Sequence, residues 1–446
     1  MPKLEVAARW IALAALVLGG ESAHAAGLDG LSAPSWGGGW VGPGDPGARG
    51  VLYNPTAAGT GEAPELLIDL GVLGVQVGYW PDTNEEPLLV RLPVPHPTFT
   101  AAIPIGKRFG FGTYLNAPYV RSDFTTGFSF IESALLVSFR ANDWLTVAGG
   151  LRLGWSRVGA TIPLDTGALV NASVNLDEGL QLPEEDPFLL GDQLVPTRNR
   201  FTASPVVAAT VETRSGVAVH GVFRPPWVVR NRSTVALRPS NDLAALLDGD
   251  VVVRVPLPLR ATLAATIPVG RVTLLPELEF VGWRAASRLG IELSNLRIVS
   301  SDPVFNEVLA SVGLAEADFL AVAEGPQSFD LQWRNVFQPA LQAEWKASER
   351  VDVRGGVLLT NSAVSPAVLD AFNIDFASLE LRAGAAVRTS RTVRLSGTAA
   401  YYVSPARIVR GPNDRITSFY DLNLWRIGFT SQFFFGTRRG HEPPPR

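Results

Sequence analysis

Residues able to carry out chemistry are few in this chain and lie far apart. Cysteine is absent from the 446 residues, which removes any disulfide framework, thiolate ligand or sulfur nucleophile. Of the four histidines, His24 and His441 lie toward the two ends, and only His96 and His220 fall in the body. His220 sits inside an apolar run. It reads as a polar residue facing inward from a strand, or as the general base of a membrane-embedded hydrolase; no serine elbow accompanies it. No Walker loop, G-x-G-x-x-G or H-E-x-x-H motif occurs. No acidic cluster has calcium-loop spacing, and Glu184–Asp186 reads as a solvated loop run. The chain is therefore expected not to be an enzyme, and to have no catalytic residue, cofactor or metal.

Arginine is the more informative residue type. Arg152, Arg157, Arg254, Arg260, Arg382 and Arg394 occupy the polar positions of otherwise apolar, alternating segments. A guanidinium holds a carboxylate by two parallel hydrogen bonds. Two readings follow. The arginines form an internal network with Glu277, Glu279, Glu344 and Glu380, or one or two of them, Arg152 and Arg157 first, meet an anionic head group near an external mouth.

The elements that position these side chains are strands. Alternation of period two recurs along most of the chain. In the run from Leu145, Leu145, Val147, Leu151, Leu153 and Trp155 oppose Thr146, Ala148, Arg152 and Gly154. In the run from Trp425, Trp425, Ile427, Phe429, Phe433 and Phe435 oppose Arg426, Thr430 and Gln432. The second face carries Gly, Ala, Thr and scattered Arg rather than the Lys and Glu of a water-facing sandwich, and charged residues are held to 18%. Strands of about 9–11 residues or more with one continuous apolar face are the pattern of a transmembrane barrel.

Connections agree. Short turns are expected at 105–110, 140–143, 213–216, 268–271, 346–350 and 388–391. Long connections are expected at about 81–96, 121–129, 159–200, 229–250, 285–330, 361–376 and 405–420. Strict alternation of six short and seven long connections joins 14 antiparallel strands and leaves both termini on the short-turn side. Within the long connections, Ser301–Glu324 and Ser240–Gly249 read as short helices, the second capped by Ser240 or Asn241 and closed by Gly249. Trp80, Tyr119, Trp144, Trp155, Trp227, Trp283, Trp345, Tyr402 and Trp425 fall near strand ends, as two interfacial girdles or as the core of a large β protein.

The N-terminus reads as a leader. Lys3 and Arg9 precede the apolar stretch Trp10–Gly20, and Ala23-His24-Ala25 offers a small-x-small cleavage site. The expected organisation is a signal peptide at 1–25, a Gly- and Pro-rich plug at 26–64, a barrel at 65–435 and a flexible tail at 436–446. Formal net charge is -4, which argues against a general nucleic-acid partner.

Three stretches carry a resemblance: "GPGDPGARGVLYNPTAAG" (42–59), "IPIGKRFGFGTYLNAPY" (103–119), and 337–366 followed by "LELRAGAAVRTSRTVRLSGTAAYYVS". Together they resemble the FadL-type long-chain fatty-acid transporters of the outer membrane. Asn54 and Pro55 match that family's hatch motif, and Thr56 stands where the family has Ala. The resemblance implies an N-terminal hatch inside the barrel, capture of a fatty-acid-like hydrophobic ligand by external loops, and release either through the plugged barrel or sideways at a kink in the third strand, for which Asn116 and Pro118 are the residues here. It also implies residence in the outer membrane, contact with its lipid and with the barrel-insertion machinery, and a monomer. Arg157 matches a family arginine by position. The competing reading is an outer-membrane barrel with a structural or adhesive role through its long loops.

Overall fold

The structure, a computed structural model, describes residues 42–61, 63–81, 88–116, 127–161, 194–196, 200–237, 245–301, 315–317, 320, 324–330, 332–364, 377–405, 407–410 and 416–436. The strands are β1 (Glu65–Pro81), β2 (Leu88–Ile105), β3 (Phe109–Asn116), β4 (Gly127–Arg140), β5 (Leu145–Thr161), β6 (Leu194–Pro196), β7 (Arg200–Glu212), β8 (Ala218–Arg224), β9 (Trp227–Leu237) and β10 (Ala245–Leu257). They continue as β11 (Leu259–Val269), β12 (Val272–Gly282), β13 (Arg288–Ser301), β14 (Gly325–Asp330), β15 (Val336–Lys346), β16 (Val351–Thr360), β17 (Ser378–Arg388), β18 (Val393–Val403), β19 (Arg407–Arg410) and β20 (Ile416–Phe434).

Fourteen of these strands close on themselves. The order β1-β2-β3-β4-β5-β7-β8-β11-β12-β15-β16-β17-β18-β20 is antiparallel throughout, and β20 pairs back onto β1 from Glu65↔Phe434 to Pro81↔Ser418. Closure joins the first strand of the barrel to the last, the condition for a sheet to cross a bilayer. All six short turns fall where the spacing puts them, and Gly106 and Gly270 supply the positive φ two of them need (55° and 61°).

Burial alternates with the sequence. Along β15, Val336, Gln338, Ala340, Gln342 and Glu344 are buried while Phe337, Leu341 and Trp345 are exposed. Along β20, Leu424, Arg426, Thr430 and Gln432 face inward and Trp425, Ile427 and Phe429 face outward. The protein is thus apolar outside and polar inside, the reverse of a soluble domain. From Phe337 to Trp345 is eight residues, which at ~3.4 Å per residue and ~40° of tilt gives about 20 Å of apolar height.

Four barrel strands run on past the wall. At one level Pro225-Pro226, Pro258, the 3-10 turn Trp283–Ala286 and residues 332–335 interrupt them. Proline removes the ladder donor there. Beyond the break the same four chains re-pair as a second sheet, in the order β14-β13-β10-β9.

This sheet corrects several expectations. Residues 229–250 and 285–330 are not simple long loops. Of Ser240–Gly249, expected as a helical turn, Ala245–Gly249 is strand and 240–244, with the expected caps Ser240 and Asn241, lies outside the described residues; Gly249 lies at a register shift between Asp248 and Asp250 and is not a C-cap. Ladder bonds to β9 and β13 on both sides outweigh the weak local helix preference of Leu and Ala. Of Ser301–Glu324, Ser301 is strand and Glu316, Ala317 and Leu320 are helical, while 302–314 lies outside the described residues. β2 begins at Leu88, inside the connection expected at 81–96, and β20 begins at Ile416, inside that expected at 405–420.

The girdle assignment also divides. Trp144, Trp155, Trp345 and Trp425 are exposed, but Trp227, Trp283 and Tyr402 are buried at 5%, 1% and 2% exposure and point inward. The side chain of Trp80, and Tyr119, lie outside the described residues. The outer aromatic rung includes phenylalanines instead: Phe223, Phe280 and Phe337, with Ala261 between the first two, stand in register on four strands just below the break. The rings of Phe280 and Phe337 are 5.1 Å apart.

Candidate functional site

The chain before β1 packs against inward-facing side chains of many strands. Two 3-10 turns, Gly47–Arg49 and Pro55–Gly59, organise it. Pro55 holds Asn54 extended (φ −132°, ψ 103°), and Asn54 caps the second turn by accepting from the Thr56 amide at 3.1 Å. The same asparagine donates through Nδ2 to the Pro43 carbonyl (3.0 Å), beside Thr210 Oγ1 and His220 Nδ1. His220 therefore joins the segment to the wall, with its Nε2 at 3.0 Å from Thr266 Oγ1, which donates to the Gly44 carbonyl. Among the described residues its side-chain partners are Asn54, Thr210 and Thr266.

Thr56 acquires a reason. Its hydroxyl donates to Asn54 Oδ1 at 2.7 Å and sits 2.6 Å from Thr210 Oγ1. Alanine at this position, as in the family hatch, would offer neither bond.

A closed ring of charges holds the first turn. Arg354 on β16 donates to both carboxylate oxygens of Asp45, at 2.9 and 2.6 Å. Glu344 on β15 lies 3.2 Å from Arg354 and accepts from Arg49 at 3.2 Å; Arg49 returns to Asp45 at 3.4 Å. Two guanidinium groups and two carboxylates balance, all almost fully buried. Burial pulls the Arg49 guanidinium down, but Asp45, Glu344 and Glu65 outweigh it and hold it above its usual value. Glu65 accepts from the Ala48 amide and from Gln432, Thr100 donates to the Ala48 carbonyl at 2.6 Å, and Arg224 donates to the carbonyls of Leu52 and Tyr53.

Close approach needs glycine in the wall. A side chain on Gly110 would lie 2.4 Å from the Gly59 amide and 2.5 Å from the Ala58 carbonyl, and Val51 and Ala58 occupy the space above Gly112. The resulting cluster joins Val51, Leu52 and Ala58 to Tyr114, Ala134, Leu136, Val206, Ala208 and Val222.

Above this segment the wall changes character. Trp227 turns inward and lies under the guanidinium of Arg152, 5.1 Å from carbon to ring centre. On the same face of the second sheet Val229, Val251, Val253 and Leu293 are buried, while Val228, Arg230 and Arg232 are exposed on the other. Below the break the barrel is apolar outside and polar inside; above it the faces are exchanged. Trp283 and Trp333 stack edge to face at 5.0 Å on the inner side.

The other sequence-predicted residues are scattered. Arg152 donates to Ser204 Oγ at 3.0 Å and reaches the Pro225 carbonyl at 3.5 Å. Arg157 lies on β5 opposite Ser129, and its side chain is outside the described residues. Arg260 pairs with Glu279 at 3.5 Å, Arg382 with Glu380 at 3.8 Å and Arg394 with Asp352 at 2.6 Å. Arg254 is not in the lumen: it stands on the exposed face of the second sheet, paired with Glu292. Asn116 ends β3 and accepts from Thr98 at 3.2 Å, and Pro118 lies outside the described residues. Asp45, Arg49, Glu65 and Arg354 were not foreseen as site residues. The Asp45–Arg49 spacing inside a Gly- and Pro-rich stretch, and an arginine at an inward position of β16, were the available signals.

No family model and no curated protein matches the chain. Solved structures do. A Pseudomonas aeruginosa FadL homologue superposes with a TM-score of 0.69 over 92% of this chain and 99% of its own, at 13% identity. The chain has the FadL fold. The CymD monoaromatic hydrocarbon channel matches with a TM-score of 0.62 over 93% of this chain and 99% of its own, at 13% identity. The Ralstonia pickettii toluene transporter TbuX matches with a TM-score of 0.59 over 90% and 97%, also at 13%. Within the FadL fold the resemblance read from 42–59 falls on the segment bonded to the inner wall, and that read from 103–119 falls on the end of β2 and on β3, with 117–119 outside the described residues.

Proposed function

We propose that this chain is an outer-membrane protein of the FadL type that passes hydrophobic small molecules across the membrane without chemistry, with residues 42–61 as its hatch. The observation that carries the reading is the exchange of faces at the break. An inward apolar wall of Trp227, Val229, Val251, Val253 and Leu293 stands above a polar lumen closed by a bonded segment. An apolar wall above and a polar, occupied lumen below suit a ligand that is caught from outside and goes no further until the hatch or the wall yields. The named neighbours, a hydrocarbon channel and a toluene transporter, point the same way.

Exit sideways is the finer part of this proposal and belongs to the stretch after β3: β3 pairs with β2 from Thr98↔Asn116 to Ile105↔Phe109, and 117–126 lies outside the described residues. Long-chain fatty acids and smaller hydrocarbons both suit the wall.

A polar residue placed on that wall tests the reading. Val253→Asp should weaken binding of the fluorescent apolar probe N-phenyl-1-naphthylamine to the purified protein by about tenfold or more, because a carboxylate at a buried site is costly to desolvate. Val357→Asp on the lipid-facing wall should leave probe affinity unchanged in the folded protein. Equal binding by all three proteins, or none, would remove the apolar wall from the mechanism.

A further inference from the structure

The outward face of the second sheet carries a separate site. Below the break the outer wall ends in the aromatic rung of Phe223, Phe280 and Phe337. Above it the outward residues are Val228, 47% exposed, and then arginine: Arg230 on β9 stands directly opposite Arg254 on β10. Like charges directly opposite each other on a sheet repel. Arg254 is in turn opposite Gly290 on β13, and Arg288 follows two residues along on the same face. Arg232 and, at the level of the break, Arg284 and Arg334 are exposed as well.

With Arg297, which pairs with Asp248 at 2.6 Å farther along the same face, seven arginines thus face four carboxylates. Glu292 pairs with Arg254, Asp250 with Arg232 at 3.4 Å and with Asn295 at 2.8 Å, and Asp330 stands opposite Arg288 in the ladder. The surplus is positive and lies immediately above an aromatic, lipid-facing rung. Arg254 Nε has no hydrogen-bond partner among the described residues. Guanidinium forks match phosphate oxygens, and the wall below is a surface for acyl chains. A free anion would use only the arginines; the patch as a whole fits a molecule with phosphate above and acyl chains below.

We propose that this face binds a phosphorylated lipid of the outer leaflet, its phosphate on Arg230, Arg254 and Arg288 and its acyl chains against Phe223, Phe280 and Phe337. The site is on the outside of the barrel and does not depend on what passes within.

Native mass spectrometry of the full mature protein in detergent, titrated with bisphosphorylated lipid A and with its dephosphorylated form, tests this. Wild-type protein should retain the phosphorylated lipid. R230Q/R254Q/R288Q should retain it about tenfold less or worse, and the dephosphorylated lipid should be held equally weakly by both. A heat-dependent gel shift reports that the barrel is folded. If the triple variant does not fold, R284Q/R334Q, which leaves the ladder arginines in place, should also lower retention. Equal retention of the two lipids by the wild type, or unchanged retention in folded variants, overturns the proposal.

Discussion

Removing residues 42–59 from the mature protein should turn a closed barrel into a conducting one. In planar bilayers the single-channel conductance to potassium chloride is expected to rise on the order of tenfold or more above the intact protein, because a polar-lined lumen admits water and ions once its filling is gone. The wall residues left behind, Arg354, Glu344, Glu65 and Arg224, are then hydrated by the water that enters, so closure of β1 on β20 does not depend on the deleted segment. Unchanged conductance in a correctly folded deletion would mean that this segment does not close the passage.

The second large effect is expected from Arg354→Met, a single change at the centre of the charge ring. Arg354 is 2% exposed and gives two hydrogen bonds to Asp45 and an ion pair to Glu344. Removing one partner of a buried ion pair typically costs about 3–5 kcal/mol, and here two buried carboxylates would be left to share the single guanidinium of Arg49. That cost falls on the bond between segment and wall rather than on the barrel ladder. The variant should therefore flicker between closed and conducting levels while its heat-dependent gel shift stays near that of the wild type. Limited proteolysis from the short-turn side should cut near Asp45 only in the variant. A quiet, protected variant would show that the ring is dispensable for closure.

What could be read in advance and what could not divides by range. Alternation along Val336–Lys346 and the turns at Gly106 and Gly270 are local consequences of side-chain type, so strand number and closure follow from residues a few positions apart. Asn54 and Pro55 likewise act on their own neighbours. The charge ring joins Asp45 to Arg354 across 309 positions, and nothing near either residue names the other. Trp227 and Trp283 were misplaced for a related reason. Their facing depends on a break that four strands share at one level, and single-strand alternation carries no sign of such an exchange. Ala245–Gly249 reads as helix in isolation and is strand because β9 and β13 flank it.

The proposed hatch also explains the Gly-rich text of β3. Gly110 and Gly112 alternate on the inward face, where any Cβ would collide with Ala58, Gly59 or Val51. Phe109, Phe111 and Thr113 keep the other register of the strand. The pattern reads as a weak strand until the second chain segment is placed against it.

Uptake tests the central claim most directly. Cells whose outer membrane carries this protein, and matched cells carrying Val253→Asp at equal abundance, would be given a radiolabelled hydrophobic solute, and its initial rate of entry measured. Faster entry with the wild-type protein than with either Val253→Asp or no protein is the predicted result. Entry at one and the same rate in all three would contradict a passage for hydrophobic small molecules.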